Sequence, residues 1–94
     1  MGGMGLNQDF KEVERWYRKS AEQGDATGQN SLGYIYEKGL GIKQDYKEAE
    51  KWYLKAAEQG NPNAHYNLGR IYEEGLGVAQ DYKEAQNWYC KAAE

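Results

Sequence analysis

Residues 39–58 read GLGIKQDYKEAEKWYLKAAE, and nearly the same twenty residues return at 75–94 as GLGVAQDYKEAQNWYCKAAE. A looser copy, GMGLNQDFKEVERWYRKSAE, occupies 3–22, so that Trp16, Trp52 and Trp88 stand 36 residues apart. The stretches between them, GDATGQNSLGYIYEK at 24–38 and GNPNAHYNLGRIYEE at 60–74, keep the same spacing. They pair Leu32 with Leu68, Gly33 with Gly69, Ile35 with Ile71 and Tyr36 with Tyr72. A period of this length, with two amphipathic patterns and turn signals between them, points to an all-α solenoid of two-helix units.

The quoted stretch contains the second helix of each unit, helix B. Asp45 and Glu48 have the D-x-x-E spacing of a capping box, repeated by Asp9 with Glu12 and Asp81 with Glu84, while Gly24 and Gly60 supply left-handed stops. At 100° per residue, Tyr46, Ala49, Trp52, Tyr53, Ala56 and Ala57 share one arc of the helix, opposite Lys47, Lys51, Lys55 and Glu58. Helix A starts at an N-cap, Asp25 or Asn61, with Pro62 at a first helical position where a missing N–H is harmless. It ends at Gly39 or Gly75, and Ala64, Leu68, Ile71 and Tyr72 share its packing face. Gly69 on the edge of that face implies a close neighbour, because a mid-helix glycine costs about 1 kcal/mol relative to alanine. The expected order is B-A-B-A-B in a single domain over 1–94: B near 9–23, A at 26–38, B at 45–59, A at 62–74 and B at 81–93, about two and a half repeats.

Composition excludes several function classes. The chain has 94 residues, 39% hydrophobic and 14% aromatic, with a mean hydropathy of -1.08. So small a domain must use each apolar residue well, and its three Trp and nine Tyr provide most of the large contact surfaces. The net charge of -3 comes from interleaved acids and bases, so no basic footprint for nucleic acid is present. No apolar run approaches the roughly 20 residues that cross a bilayer, and the MGGMG start is not a signal peptide, which excludes a membrane role. The lone Cys90 can form neither an internal disulfide nor a cysteine metal site, which fits a reducing, cytoplasmic setting.

At AHYNLGRIYEEGLGVAQDYKEAQNWYCKAA, residues 64–93, the chain resembles the Sel-one-like repeats (SLR), relatives of the tetratricopeptide repeats. The Gly-Leu-Gly connector, the Trp-Tyr pair and the following Ala-Ala carry the resemblance, which covers nearly the whole chain. It implies a right-handed superhelix of helical hairpins whose A helices line the concave side. It also implies a non-catalytic scaffold or adaptor for protein partners, without a cofactor.

If Leu68 and Tyr72 face the B helices, the opposite arc of the same helix presents Asn63, Tyr66, Arg70 and Glu73, matched in the earlier unit by Thr27, Asn30, Tyr34 and Glu37. Tyr and Arg favour binding hot spots, and asparagines can hold a peptide backbone. Asn30, Tyr34, Glu37, Asn63, Tyr66, Arg70 and Glu73 are therefore the candidate partner-binding residues, against the alternative of an ordinary solvated helix face. His65 reads as a half-buried seam residue and Cys90 as a surface thiol. Glu48 and Glu84 are accounted for by capping, and Glu50, Glu58 and Glu73 by solvated faces and pairing at i, i+4, so the sequence offers no acid/base pair. The Gly-x-Gly pairs follow helices and lack the G-x-G-x-x-G spacing of a phosphate cradle.

An alternative role lies at the ends. The first and last helices carry the apolar pattern of internal copies, Phe10, Val13, Trp16 and Tyr17 at one end and Tyr82, Trp88 and Tyr89 at the other, so chains can pair or stack as a homo-oligomer. The same phase of the ends, with the closeness of the copies, suits an engineered or truncated chain.

Overall fold

The computed structural model describes residues 5–94, with side chains from Phe10 onward. It contains five helices: α1 (Gly5–Glu22), α2 (Ala26–Lys38), α3 (Tyr46–Glu58), α4 (Pro62–Glu74) and α5 (Tyr82–Ala93). α2 packs most closely with α3, and α4 with α5, while α1 lies on α2 and α3 on α4. The A helices are thus α2 and α4, each folded back on the B helix that follows it.

Four of the five helices start on the expected caps. The Asp25 and Asn61 side chains accept from Gly28 N at 2.7 Å and Ala64 N at 2.9 Å, and those of Asp45 and Asp81 accept from Glu48 N at 3.1 Å and Glu84 N at 3.0 Å. The reciprocal half of the capping box is not made. The backbone N–H groups of Asp45 and Asp81 donate instead to the carbonyls of Tyr36 and Tyr72, both at 2.9 Å, and Glu48 turns to Lys51 at 3.3 Å. A connector folded against the preceding A helix has already satisfied the donor that the glutamate would reach.

The same bond explains a correction at the first helix. α1 runs from Gly5, not from near residue 9, so Asp9 is inside the helix and is not its cap. The Asp9 side chain lies outside the described residues. In α3 and α5 the carbonyl of the preceding A helix fixes the start; among the described residues no A helix precedes α1, and its backbone stays helical through Asp9.

Two pairs of glycines set the spacing of the stack. A Cβ at Gly33 would lie 2.7 Å from the Tyr53 ring, and one at Gly69 would enter the Tyr89 ring, so each A helix admits a tyrosine face where any other residue would overpack it. Gly41 and Gly77 have φ of 76° and 75°, and a Cβ on either would press on Phe10 or Tyr46 of the preceding B helix. Each connector is thereby seated against the Cβ and backbone of that residue in the preceding B helix.

The core follows the repeat. Ala49, Tyr53, Ala56, Ala57, Ala64, Leu68 and Ile71 form the larger cluster, with Tyr36, Tyr72 and Trp88 against it. Ala21, Leu32 and Trp52 form the other. Each indole therefore depends on the unit before it. Trp52 is 8% exposed and Trp16 68%, because no described helix covers Trp16 as α1 and α2 cover Trp52. Of the three equivalent tryptophans, Trp52 is buried, Trp88 half-buried and Trp16 exposed, in keeping with the unpartnered apolar pattern of the first helix.

Candidate functional site

α2 and α4 lie side by side and are joined by side chains across the unit boundary. Asn67 Nδ2 donates to Asn30 Oδ1 at 2.9 Å. Arg70 donates to both oxygens of Glu37, Nη1 to Oε1 at 3.3 Å and Nη2 to Oε2 at 2.5 Å. Tyr53, from α3, adds its hydroxyl to Glu37 Oε1 at 2.6 Å.

This arrangement corrects the reading of Glu37. Only 2% of it is exposed, so it is an internal counter-ion and not a residue that a partner can touch. Burial pushes its carboxyl up, but the hydrogen bonds from Arg70 and Tyr53 outweigh that effect and hold it below the ordinary carboxylate value of 4.5. Arg70 is raised in turn, chiefly by its hydrogen bonds to Glu37. Burial first, and then the bond to Glu37, drive the Tyr53 phenol far above its usual range.

The other candidate positions fall around this lock. Tyr34 is 44% exposed and Tyr66 53%, Asn63 is exposed, and Asn30 is half-buried beside Asn67. Lys38 Nζ stands 5.6 Å from the Tyr34 ring centre, and Tyr66 tilts against Tyr89 with centroids 5.6 Å apart. Between α1 and α2 lies a hollow of about 280 Å³, with Phe10, Val13, Tyr17 and Leu40 in its wall and Asn30 and Tyr34 among its lining. A larger space of about 450 Å³ runs beside Trp16, but only α1 residues line it, so it is the uncovered side of one helix.

Carboxylates read as solvated prove to be phenol acceptors. Glu73 accepts from the Tyr89 hydroxyl at 2.5 Å, and Glu50 from that of Tyr72 at 3.0 Å. Burial, followed by the bond to Glu50, pushes Tyr72 up to about 12. His65 Nε2 lies 3.3 Å from the Ala57 carbonyl and its ring stacks on Trp88. Gln29, one repeat earlier, makes the corresponding bond to Ala21 O at 3.2 Å. Cys90 is an exposed thiol. Among the described residues no group of three or more His, Cys, Asp or Glu could hold a metal ion, and no helix is long and apolar enough to cross a membrane.

The Sel1 repeat family profile matches residues 1–25, 26–61 and 62–94. The chain belongs to the Sel1 repeat family. Among solved structures it is similar to a Sel1 repeat protein from Oxalobacter formigenes, 41% identical with a TM-score of 0.85, over 98% of this chain and 38% of that one. It is also similar to c5321, a protective antigen present in uropathogenic Escherichia coli strains and displaying an SLR fold. That match is 44% identical with a TM-score of 0.80, over 85% of this chain and 17% of that one. The chain thus spans well under half the length of either relative. Comparison with curated proteins finds no match. Sel1 repeat proteins are generally non-catalytic and commonly mediate protein interactions, and the stacked hairpins here are those of the Sel1 solenoid.

Asn67 was missed in the sequence as a site residue. Its counterpart one unit earlier is Ser31, so no ladder is visible by comparing repeats; the bond to Asn30 runs between positions that are not equivalent.

Proposed function

We propose that the chain is a protein-binding module that holds an extended segment of a partner along the face shared by α2 and α4. Tyr34, Tyr66, Asn63 and Asn30 make the contacts, and Arg70, fastened to Glu37, keeps the two helices in register. The observation carrying this reading is that Tyr34 and Tyr66 remain 44% and 53% exposed on helices otherwise joined by hydrogen bonds. Aromatic side chains on a rigid face supply contact area at low entropic cost.

Linear peptides selected from a random displayed library for binding to the chain test this. Tyr66→Ala is expected to weaken the selected peptides about 30-fold, the loss of a hot spot worth about 2 kcal/mol. Unchanged affinity, or a library that yields no binder, overturns the reading. A second reading is homotypic association through α1 and α5. It is favoured by Trp16 and Tyr82, each 68% exposed.

A further inference from the structure

The Glu37 site has a twin. One repeat later, Glu73 stands where Glu37 does and Tyr89 where Tyr53 does, and the phenol donates to the carboxylate in the same way, at 2.5 Å. In the first copy the carboxylate also takes a guanidinium, from Arg70 on the next A helix. In the second copy Glu73 is exposed, and among the described residues no cation pairs with it. Arg70 is near enough to act on the Tyr89 phenol, but its own guanidinium is committed to Glu37.

We propose that Glu73, with Tyr89 and Tyr66, is a subsite for an arginine side chain of a partner polypeptide. The proposal rests on the partner-binding reading of the α2–α4 face and adds the chemistry of one contact. The fold itself shows what the subsite accepts: the same carboxylate, pinned by the same phenol, takes a guanidinium through two bonds in the preceding unit. Tyr89 fixes the Glu73 carboxylate with one oxygen engaged. Tyr66, tilted on Tyr89 at 5.6 Å between centroids, adds an aromatic surface on which a guanidinium can lie. A planar fork fits this carboxylate, whereas a lysine ammonium would meet it as a point charge.

The probes are N-acetyl-arginine N-methylamide and its citrulline analogue, which keeps the shape and loses the charge, each titrated into the whole chain and followed by amide and tyrosine-ring NMR. Saturable shifts at Gly69, Glu73 and Tyr89 are expected with arginine, with citrulline about ten-fold weaker or worse, in line with a charged hydrogen bond. Glu73→Gln, at an exposed position, should keep the amide spectrum and lose that preference. Tyr89→Phe, which frees the carboxylate, should weaken arginine binding less. Equal shifts from the two probes, or unchanged arginine binding by Glu73→Gln, overturn the proposal. Shifts at these residues that grow with protein concentration alone and vanish in Glu73→Gln also overturn it, since the occupant is then a second copy. Selected peptides that bind the face and ignore Glu73→Gln remove the subsite alone. Arginine binding in a chain for which no peptide can be selected removes the face and leaves the subsite standing.

Discussion

Glu37 shows how a single buried residue links the repeats. Its carboxylate meets a guanidinium from α4 and a phenol from α3, so removing it strands two polar groups at once. Breaking a buried pair by deleting one partner costs about 3 kcal/mol or more, and Glu37→Ala is expected to lower the urea unfolding free energy at neutral pH by that order. The pH dependence follows from the direction of the shift. A carboxyl held below its ordinary value of 4.5 stabilises the fold fully above that value and loses the contribution as pH falls through the lower folded value. The stability difference between the wild type and Glu37→Gln should therefore shrink steadily from about pH 5 downward, as read from urea midpoints across the acid range. A constant gap would mean that charge is not what Glu37 supplies. This role was hidden in the sequence for a geometric reason. A helical wheel sorts a residue by the one partner its apolar arc faces, and Glu37 is buried sideways, by Arg70 of the next unit and by a tyrosine sixteen residues on.

The elements were more legible than their contacts. The cap at Asp25, Asp45, Asn61 or Asp81 is a local matter of one side-chain oxygen and the third amide beyond it, so the residue type nearly determines it. The return bond from Glu48 is not local in the same sense, because the carbonyl of Tyr36 competes for the Asp45 N–H. Sequence pattern alone cannot see that competitor, and for the same reason the start of α1 was placed several residues late. The two halves of the motif should then separate on mutation. Asp45→Ala is expected to cost about 1 kcal/mol, whereas Glu48→Ala, which loses only a half-exposed pairing with Lys51, should change stability by less than about 0.5 kcal/mol. Urea titration of the two single variants checks this, and equal losses would restore the reciprocal box. Gly69, expected from the sequence to admit a close neighbour, does so for Tyr89, and Gly33 does the same for Tyr53.

At the scale of the whole molecule, a repeat protein turns sequence identity into unequal energetics. The molecule extends over 46 × 26 × 19 Å, each two-helix unit packs on the unit beside it, and what a residue contributes depends on its place in the row. The tryptophans make this measurable, since one motif position is sampled three times. Trp52, closed in by Ala21 and Leu32, should cost about 3–5 kcal/mol when replaced by alanine. Trp16, 68% exposed, should cost less than about 0.5 kcal/mol, with Trp88 between them because it is half-buried against the larger cluster and stacked on His65. Variants keeping one tryptophan each would show the same order in fluorescence, Trp16 emitting at the longest wavelength and quenched most readily by iodide. If quenching of Trp16 falls as protein concentration rises, α1 is being covered by another copy, which is the homotypic reading. If it is independent of concentration, Trp16 faces water in the isolated chain and that reading fails. Three equal mutational costs would contradict the stack itself, because equivalence along the sequence would then outweigh position in the row.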